Sequence, residues 1–417
     1  MPSNYGVSSV RPGQLHWGEP GRKWIAPPGT MVNAEIGRSS RMKIYFLGTG
    51  SSYPSTRRGV SAAALQLDDG NVWLFDCGEG TQIQVQKVAF SRQKINKIFI
   101  THLHGDHLFG LPGLLCTISS QIGLSEEELQ KKGAPVVDLY GPQGLRRFVY
   151  TALSLSRSLL LFKYRVHELV PIKEQYLEDW DQWVVDHSAP SVTHPSELPG
   201  SLIYSVEDSD GNAHWKLFDD DNWCAVAGWI HHRVPSFGFV LNQKGRPGTL
   251  DKEKLLELGL PPGPLYGQLK KGKAVTTEDG KLITPDMVVG SLIPGKSLVI
   301  LGDTRDASPL AHLVRGCDVL IHEATYDNSL KEKAAENGHS TSGQAAEFAK
   351  RINAKVLLLN HFSQRYGQVT EDSQDEETVA VLEQEALLAL EGMSIQVKCA
   401  EDLFTYELPI TSRGVSK

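Results

Sequence analysis

Apolar and polar positions along this chain follow two periods, and the switches between them fall at turn residues. Lys43 to Leu47 reads as a strand running into the turn Gly48-Thr49-Gly50-Ser51-Ser52. Ser61 to Leu67 and Asn71 to Phe75 read as two more strands across Asp68-Asp69-Gly70, a hairpin signal. A helix opens after Asp76 and runs to about Ala89, and Ile95 to Ile100 is again strand-like. Leu108 to Gln121 reads as a helix, Val136 to Tyr140 as a strand and Pro142 to Leu159 as a helix. Residues 171 to 215 look like an irregular, partly acidic insertion whose Trp180, Trp183 and Trp215 serve packing. Strands resume at Trp223 to Ile230 and Gly238 to Leu241, and a Gly/Pro-rich segment, 244 to 290, then interrupts the core. Ser297 to Leu301, Val319 to Ile321 and Val356 to Leu359 are strands. They alternate with helices at Leu330 to Asn337, Thr341 to Ile352 and Glu376 to Glu391, and Ser394 to Val397 and Leu403 to Glu407 close the sheet. Strands followed by helices in both halves predict an α/β fold of the αββα sandwich type. We expect one domain over 42–408 carrying the two insertions, between a solvated tail at 1–41 and a short one at 409–417.

The polar residues at the ends of these apolar runs carry the chemistry. After Ile95 to Ile100 comes Thr101-His102-Leu103-His104-Gly105-Asp106-His107, three imidazoles and a carboxylate in six positions. His102 and His104, two apart in an extended segment, project from one face, and the turn at Gly105 swings Asp106 and His107 toward a second point. Imidazole nitrogen and carboxylate oxygen suit zinc, with manganese or iron as alternatives. Later runs end the same way: His231-His232 after Ile230, Asp303 after Leu301-Gly302, and His361 after Leu359-Asn360. The turn at Gly48-Thr49-Gly50 lacks the lysine of a phosphate loop and reads as backbone brought close to this metal site.

Composition changes the picture in two places. The net charge of −7 argues against a nucleic-acid partner, yet residues 244 to 273 hold Lys244, Arg246, Lys252, Lys254, Lys270, Lys271 and Lys273 against three acidic residues. The acidic surplus lies in Glu174 to Asp221 and Glu371 to Glu377. Five scattered cysteines without a C-x-x-C pair predict neither a disulfide framework nor a cysteine zinc site, and fit a reducing compartment. No apolar run nears the length of a membrane span, and no secretory apolar segment is expected at the N-terminus. Cytoplasm or nucleus is the expected location, while the arginines within 1–41 leave an organellar address open.

The H-x-H-x-D-H run resembles the signature of the metallo-β-lactamase superfamily. Further motifs narrow the likeness to the short form of tRNase Z. These are Phe75-Asp76-Cys77-Gly78-Glu79-Gly80-Thr81-Gln82, His322-Glu323-Ala324-Thr325, Gly338-His339-Ser340-Thr341 and His361-Phe362-Ser363-Gln364-Arg365-Tyr366. Gly259-Leu260-Pro261-Pro262-Gly263-Pro264-Leu265-Tyr266-Gly267 with Lys270 and Lys271 is similar to that family's protruding tRNA-binding arm. The resemblance implies two zinc ions, with manganese possible. His102, His104 and His232 would hold one, Asp106, His107 and His361 the other, and Asp303 would bridge. It implies removal of the 3′ trailer from precursor tRNA by a metal-bridging hydroxide, leaving a 3′-hydroxyl on the tRNA and a 5′-phosphate on the trailer. Asp106 would orient or deprotonate the nucleophile, and His339, held by Glu323, would protonate the leaving oxygen. Arg58, Gly263, Pro264, Lys270 and Lys271 are the implied tRNA contacts, and a homodimer is the implied assembly. Pro54-Ser55-Thr56-Arg57-Arg58-Gly59 departs from the family's P-x-K-x-R-N loop, so discrimination against mature CCA ends is not carried over. The rival readings are a small-molecule phosphodiesterase, another hydrolase of the same fold, and a tRNA-binding platform without catalysis.

Overall fold

Residues 42–123, 133–177, 180, 190–367 and 377–409 are described in a computed structural model of the chain. The expected tails, most of the acidic stretch 371–377 and Trp183 lie outside them. The first half supplies β1 (Lys43–Gly48), β2 (Ala62–Gln66), β3 (Val72–Phe75), β4 (Ile95–Phe99), β5 (Val136–Pro142), β6 (Lys163–Leu169) and β7 (Ser201–Ile203). There follow β8 (Val206–Glu207), β9 (Ala213–Asp219), β10 (Trp223–Ile230), β11 (Ser236–Gln243), and the short β12 (Val275–Thr276) and β13 (Leu282–Ile283). The chain ends with β14 (Ser297–Leu301), β15 (Val319–Glu323), β16 (Val356–Asn360), β17 (Gln396–Cys399) and β18 (Thr405–Glu407). One sheet runs β18-β1-β2-β3-β4-β5-β6-β7 and the other β17-β16-β15-β14-β11-β10-β9-β8.

The strands read as unbroken apolar runs because both their faces are buried. Ile44, Phe46, Trp73, Phe75 and Phe99 point between the sheets, where they meet Trp223, Phe239, Ile300 and Ile321. Their neighbours Tyr45, Leu47, Val72, Leu74 and Ile98 point outward and are covered by the helices Leu111–Ser120 and Leu145–Leu155. The second sheet is covered likewise, by Ser342–Arg351 and Val379–Ala389 over Val299, Leu320 and Leu357. Three apolar layers separated by two sheets make the αββα sandwich.

Several elements differ from the sequence reading, each for a local reason. The helix after Asp76 stops at Gln84. The helix expected from Leu108 breaks at Phe109-Gly110, where a Cβ on Gly110 would lie 2.0 Å from the Gly78 carbonyl oxygen, so backbone packs on backbone there. Pro142 ends β5, and the next helix starts at Leu145, where Glu168 accepts from the Gly144 and Arg146 amides and caps the exposed N–H groups. The stretch expected to be irregular supplies β7 and β8, an edge strand of each sheet, and the first three residues of β9. Trp215 is fully buried between the sheets, as its packing role requires, and its indole N–H donates to the Val170 carbonyl at 3.0 Å.

Residues 244–296 leave β11 and return to its antiparallel neighbour β14, with Gln243 N donating to the Lys296 carbonyl at 2.7 Å. Between those points the segment builds three short helices, Lys252–Glu257, Leu265–Lys270 and Pro285–Val288, beside the β12–β13 hairpin. They close on a separate apolar cluster of Leu255, Leu260, Leu269, Val275, Ile283 and Val288.

Candidate metal centre

Four strand ends converge on one point: β4, β10, β14 and β16 are followed by His102–His107, His232, Asp303 and His361. His102, His104 and His232 form one group of donors, and Asp106, His107, Asp303 and His361 a second. In the first, His104 Nδ1 lies 3.1 Å from His102 Nε2 and 3.1 Å from His232 Nε2. In the second, His107 Nε2 is 3.3 Å from His361 Nε2 and 3.2 Å from Asp303 Oδ1, and His361 Nε2 is 3.4 Å from Asp106 Oδ2. Ligands about 2.0–2.1 Å from a tetrahedral zinc ion are separated by roughly 3.4 Å. Asp303 spans both groups: Oδ1 faces His107, while Oδ2 lies 3.3 Å from His361, 3.7 Å from His102 and 4.0 Å from His232.

Nitrogens this close repel unless something between them accepts their lone pairs, and the backing residues point those lone pairs inward. His107 Nδ1–H donates to Asp76 Oδ2 at 2.7 Å. His102 Nδ1–H donates to Thr101 Oγ1 at 3.0 Å, and that hydroxyl donates to Asp76. His361 Nδ1–H donates to Thr325 Oγ1 at 2.9 Å, and the Thr325 hydroxyl donates to Glu323. His232 Nδ1–H donates to the Gly338 carbonyl at 2.7 Å. Four imidazoles are thereby turned with Nε2 toward the centre, the arrangement a bound cation needs. Burial lowers the His107 pKa, but the Asp303, Asp76 and Asp106 carboxylates overcome it and raise it well above the ordinary histidine range, so a cation bound there would displace the Nε2 proton. The residues present fit a divalent metal.

Burial and the neighbouring imidazoles keep the His102 ring neutral, far below the usual histidine range. Burial also lowers His104 and takes His232 down to about 3. Burial works against the Asp303 and Asp106 carboxylates, but His107 and His361 outweigh it and hold both below the ordinary range. Backbone at the site is strained: Ser52, Asp76 and His361 sit at φ of 73°, 58° and 57°. Ser52 uses that turn to give its amide to Asp106 Oδ2 at 2.6 Å, fulfilling the close backbone approach expected of the first turn.

Glu323, His339 and His361 also come within ligand distance of one another. Glu323 is already committed, however, accepting from Thr304 N at 2.7 Å, from the Thr325 hydroxyl and from His339 Nδ1 at 3.1 Å. Burial lowers the His339 pKa, but the Glu323 and Asp303 carboxylates overcome it and raise it to about 9. The pair is therefore an imidazolium held by a carboxylate. His339 lines a cleft of about 490 Å³ with Ser52, Glu79, His104, Arg233 and Tyr326, so its Nε2–H is available to a bound molecule.

The profile of the Anti-Pycsar protein Apyc1 family matches residues 42–128, the part holding the H-x-H-x-D-H run. Human zinc phosphodiesterase ELAC protein 1 is 44% identical over 373 residues, covering 88% of this chain and 99% of that protein. Ribonuclease Z of Streptococcus sanguinis is 38% identical over 327 residues, 78% of this chain and 90% of the relative. The crystal structure of human tRNase Z, short form, superposes with a TM-score of 0.58 at 35% identity, covering 88% of this chain and all of the other. The chain belongs to the ribonuclease Z family. All seven metal-ligand candidates taken from the family's motifs meet at one centre, and Glu323 and His339 stand beside it.

Arg58 is a correction. It was expected to touch tRNA, but it is 2% exposed, donates from Nη1 to Thr49 Oγ1 at 2.9 Å and lies over the Phe362 ring at 5.1 Å. Asp402 locks the same loop, accepting from Thr49 N and Gly59 N, so Arg58 serves as an internal brace. Gly263, Pro264, Lys270 and Lys271 are exposed on the 244–296 segment and are not brought to the metal centre. His231 turns away, edge-on to Trp229. Tyr366 is buried, with its hydroxyl donating to Asp327 Oδ2 at 2.6 Å, and so packs rather than meeting phosphate. Asp76, Thr101 and Thr325 were given no role from sequence. Asp76 carried the same signal as the candidate ligands, a polar residue where an apolar run stops.

Proposed function

We propose that this chain is a metal-dependent endoribonuclease that removes the 3′ trailer from precursor tRNA, leaving a 3′-hydroxyl on the tRNA and a 5′-phosphate on the trailer. The observation that carries the reading is the pair of donor groups at ligand spacing, bridged by Asp303 and opening onto the cleft that holds His339. Two zinc ions, or manganese, are the proposed occupants: His102, His104 and His232 would hold one, and Asp106, His107 and His361 the other. Such ions acidify water and neutralise charge on a phosphate under attack. Asp106, fixed by the Ser52 amide, orients the attacking water. His339, kept protonated by Glu323, gives its Nε2 proton to the departing 3′ oxygen of the last retained nucleotide. Arg233, exposed at the cleft wall, is placed to meet a non-bridging phosphate oxygen.

The 244–296 segment is proposed as the tRNA-gripping arm, with Lys270 and Lys271 meeting backbone phosphates at no sequence cost. A homodimer is the proposed assembly. The deciding experiment is cleavage of end-labelled precursor tRNA carrying a 3′ trailer, with zinc or manganese and an EDTA control. A single metal-dependent cut leaving a 3′-hydroxyl is expected. Hydrolysis of small phosphodiesters with the precursor left intact would instead make the protein a small-molecule phosphodiesterase.

A further inference from the structure

Next to the metal centre lies an apolar niche of about 160 Å³. Leu103, Pro142, Val234 and Pro235 line it together with Tyr176 and Trp180, whose ring centroids lie 4.9 Å apart at a 59° tilt. The niche shares its backbone with the centre. Leu103 stands between His102 and His104, so the extended chain that sends both imidazoles into the cluster turns the residue between them the other way. Val234 follows His232 by two residues. The aromatic wall is braced from the same place: the buried Gln175 donates from Nε2 to the Ser236 carbonyl at 3.1 Å, and Ser236 Oγ donates to the Asp303 carbonyl at 3.0 Å. At the rim, Gln143 spends its backbone N–H on the Leu169 carbonyl at 3.0 Å, and its side-chain amide has no partner among the described residues.

None of these side chains takes part in the chemistry above. An apolar niche with aromatic rings in its lining and one unspent amide is complementary to a group with apolar faces and a polar edge. A base splayed out of a single strand is such a group. We propose that the niche holds the nucleobase of one nucleotide flanking the scissile phosphate, stacked on Tyr176 with Gln143 meeting its edge. The inference rests on the RNA-cleaving reading of the neighbouring site. Stacking on an aromatic face accepts any base, so the niche sets where the phosphate lies without selecting a sequence.

The test is single-turnover cleavage by the zinc-loaded full chain, using precursor tRNAs with one abasic nucleotide immediately 5′ or 3′ of the cleaved bond. One of the two lesions is expected to slow the wild-type protein by about five- to hundredfold, the value of one stacked base, and so to identify the side. Tyr176→Ala should slow cleavage of the intact substrate by a similar factor yet add nothing on that abasic substrate. Tyr176→Phe, which keeps the ring, should stay at the wild-type rate. Wild-type rates on both abasic substrates would overturn the proposal. Lesion and Tyr176→Ala effects that multiply would overturn it too, because the wall would then be only a support. If the wild-type protein cleaves no precursor at all, the RNA-cleaving reading fails first and takes this one with it, before any lesion or variant is introduced.

Discussion

Replacing Asp76 by Asn changes one atom and reverses one proton. Asp76 accepts three hydrogen bonds, from Thr101 N at 2.7 Å, from the Thr101 hydroxyl, and from His107 Nδ1 at 2.7 Å. Asn tolerates the positive φ of this position and keeps one oxygen for the Thr101 amide. The other oxygen becomes an NH₂ facing His107 Nδ1, and two donors cannot share that contact. The imidazole must move its proton to Nε2, toward His361 and Asp303, where a lone pair is required for a ligand. Loss of such an outer partner weakens metal binding by about 10- to 100-fold, which is about 1.4–2.8 kcal/mol. His102 should be spared, because Thr101 Oγ1 can still accept its Nδ1–H. Zinc titration against a chromophoric chelator should therefore show one of two sites weakened by that factor and the other unchanged. Unaltered affinity at both sites, or equal loss at both, would refute the assignment of Asp76 as the residue that fixes the His107 tautomer.

Other substitutions separate the roles of neighbouring groups. His104→Ala removes one of three nitrogen donors and should abolish metal-dependent cleavage with an unchanged far-ultraviolet circular dichroism spectrum. His339→Ala should slow cleavage by about 10²–10⁴-fold while zinc content by atomic absorption stays at the wild-type value. Because the His339 pKa is raised to about 9, its proton and its attraction to Glu323 are fully present below the ordinary histidine range and are lost as pH rises through about 9. A fall in rate on that alkaline side, absent from His339→Ala, is expected in the pH–rate profile. Arg58→Ala should lower unfolding stability by about 1–3 kcal/mol, read by urea titration, through lost packing and one buried hydrogen bond, with no change in the salt dependence of tRNA binding. Deleting 259–273 should weaken processing of precursor tRNA while hydrolysis of a small phosphodiester continues, measured side by side.

The parts legible in the sequence were those encoded locally. A strand buried on both faces shows as an apolar run, and a candidate ligand at its end shows as the polar residue that stops it; His102, Asp303 and His361, which the fold brings together, all announced themselves so. The edge strands β7 and β8 did not, because their exposed faces carry Ser201, Glu207 and other polar residues and no alternation survives. Arg58 misled for a related reason. An arginine in a glycine- and serine-rich loop reads as solvated, and its burial is decided by Phe362 and Asp402, some three hundred residues away. The tautomers of the ligand histidines depend on Thr101, Thr325 and the Gly338 carbonyl, whose roles emerge only when four strand ends are brought together.

The way residues 244–296 join the sandwich has a bearing on how such a protein can change. To the core, the segment is one long hairpin connection between two strands that pair regardless of what lies beyond Gln243 and Lys296. The entropy of closing a connection grows only with the logarithm of its length, each doubling adding roughly 0.6 kcal/mol. The segment also buries its own Leu255, Leu269 and Ile283, so it draws little on the sandwich for support. Insertions, deletions or a wholly different sequence there cost the catalytic scaffold almost nothing in thermodynamic terms. With the segment assigned to tRNA grip as proposed, grip and bond cleavage are free to diverge on separate schedules within a single chain.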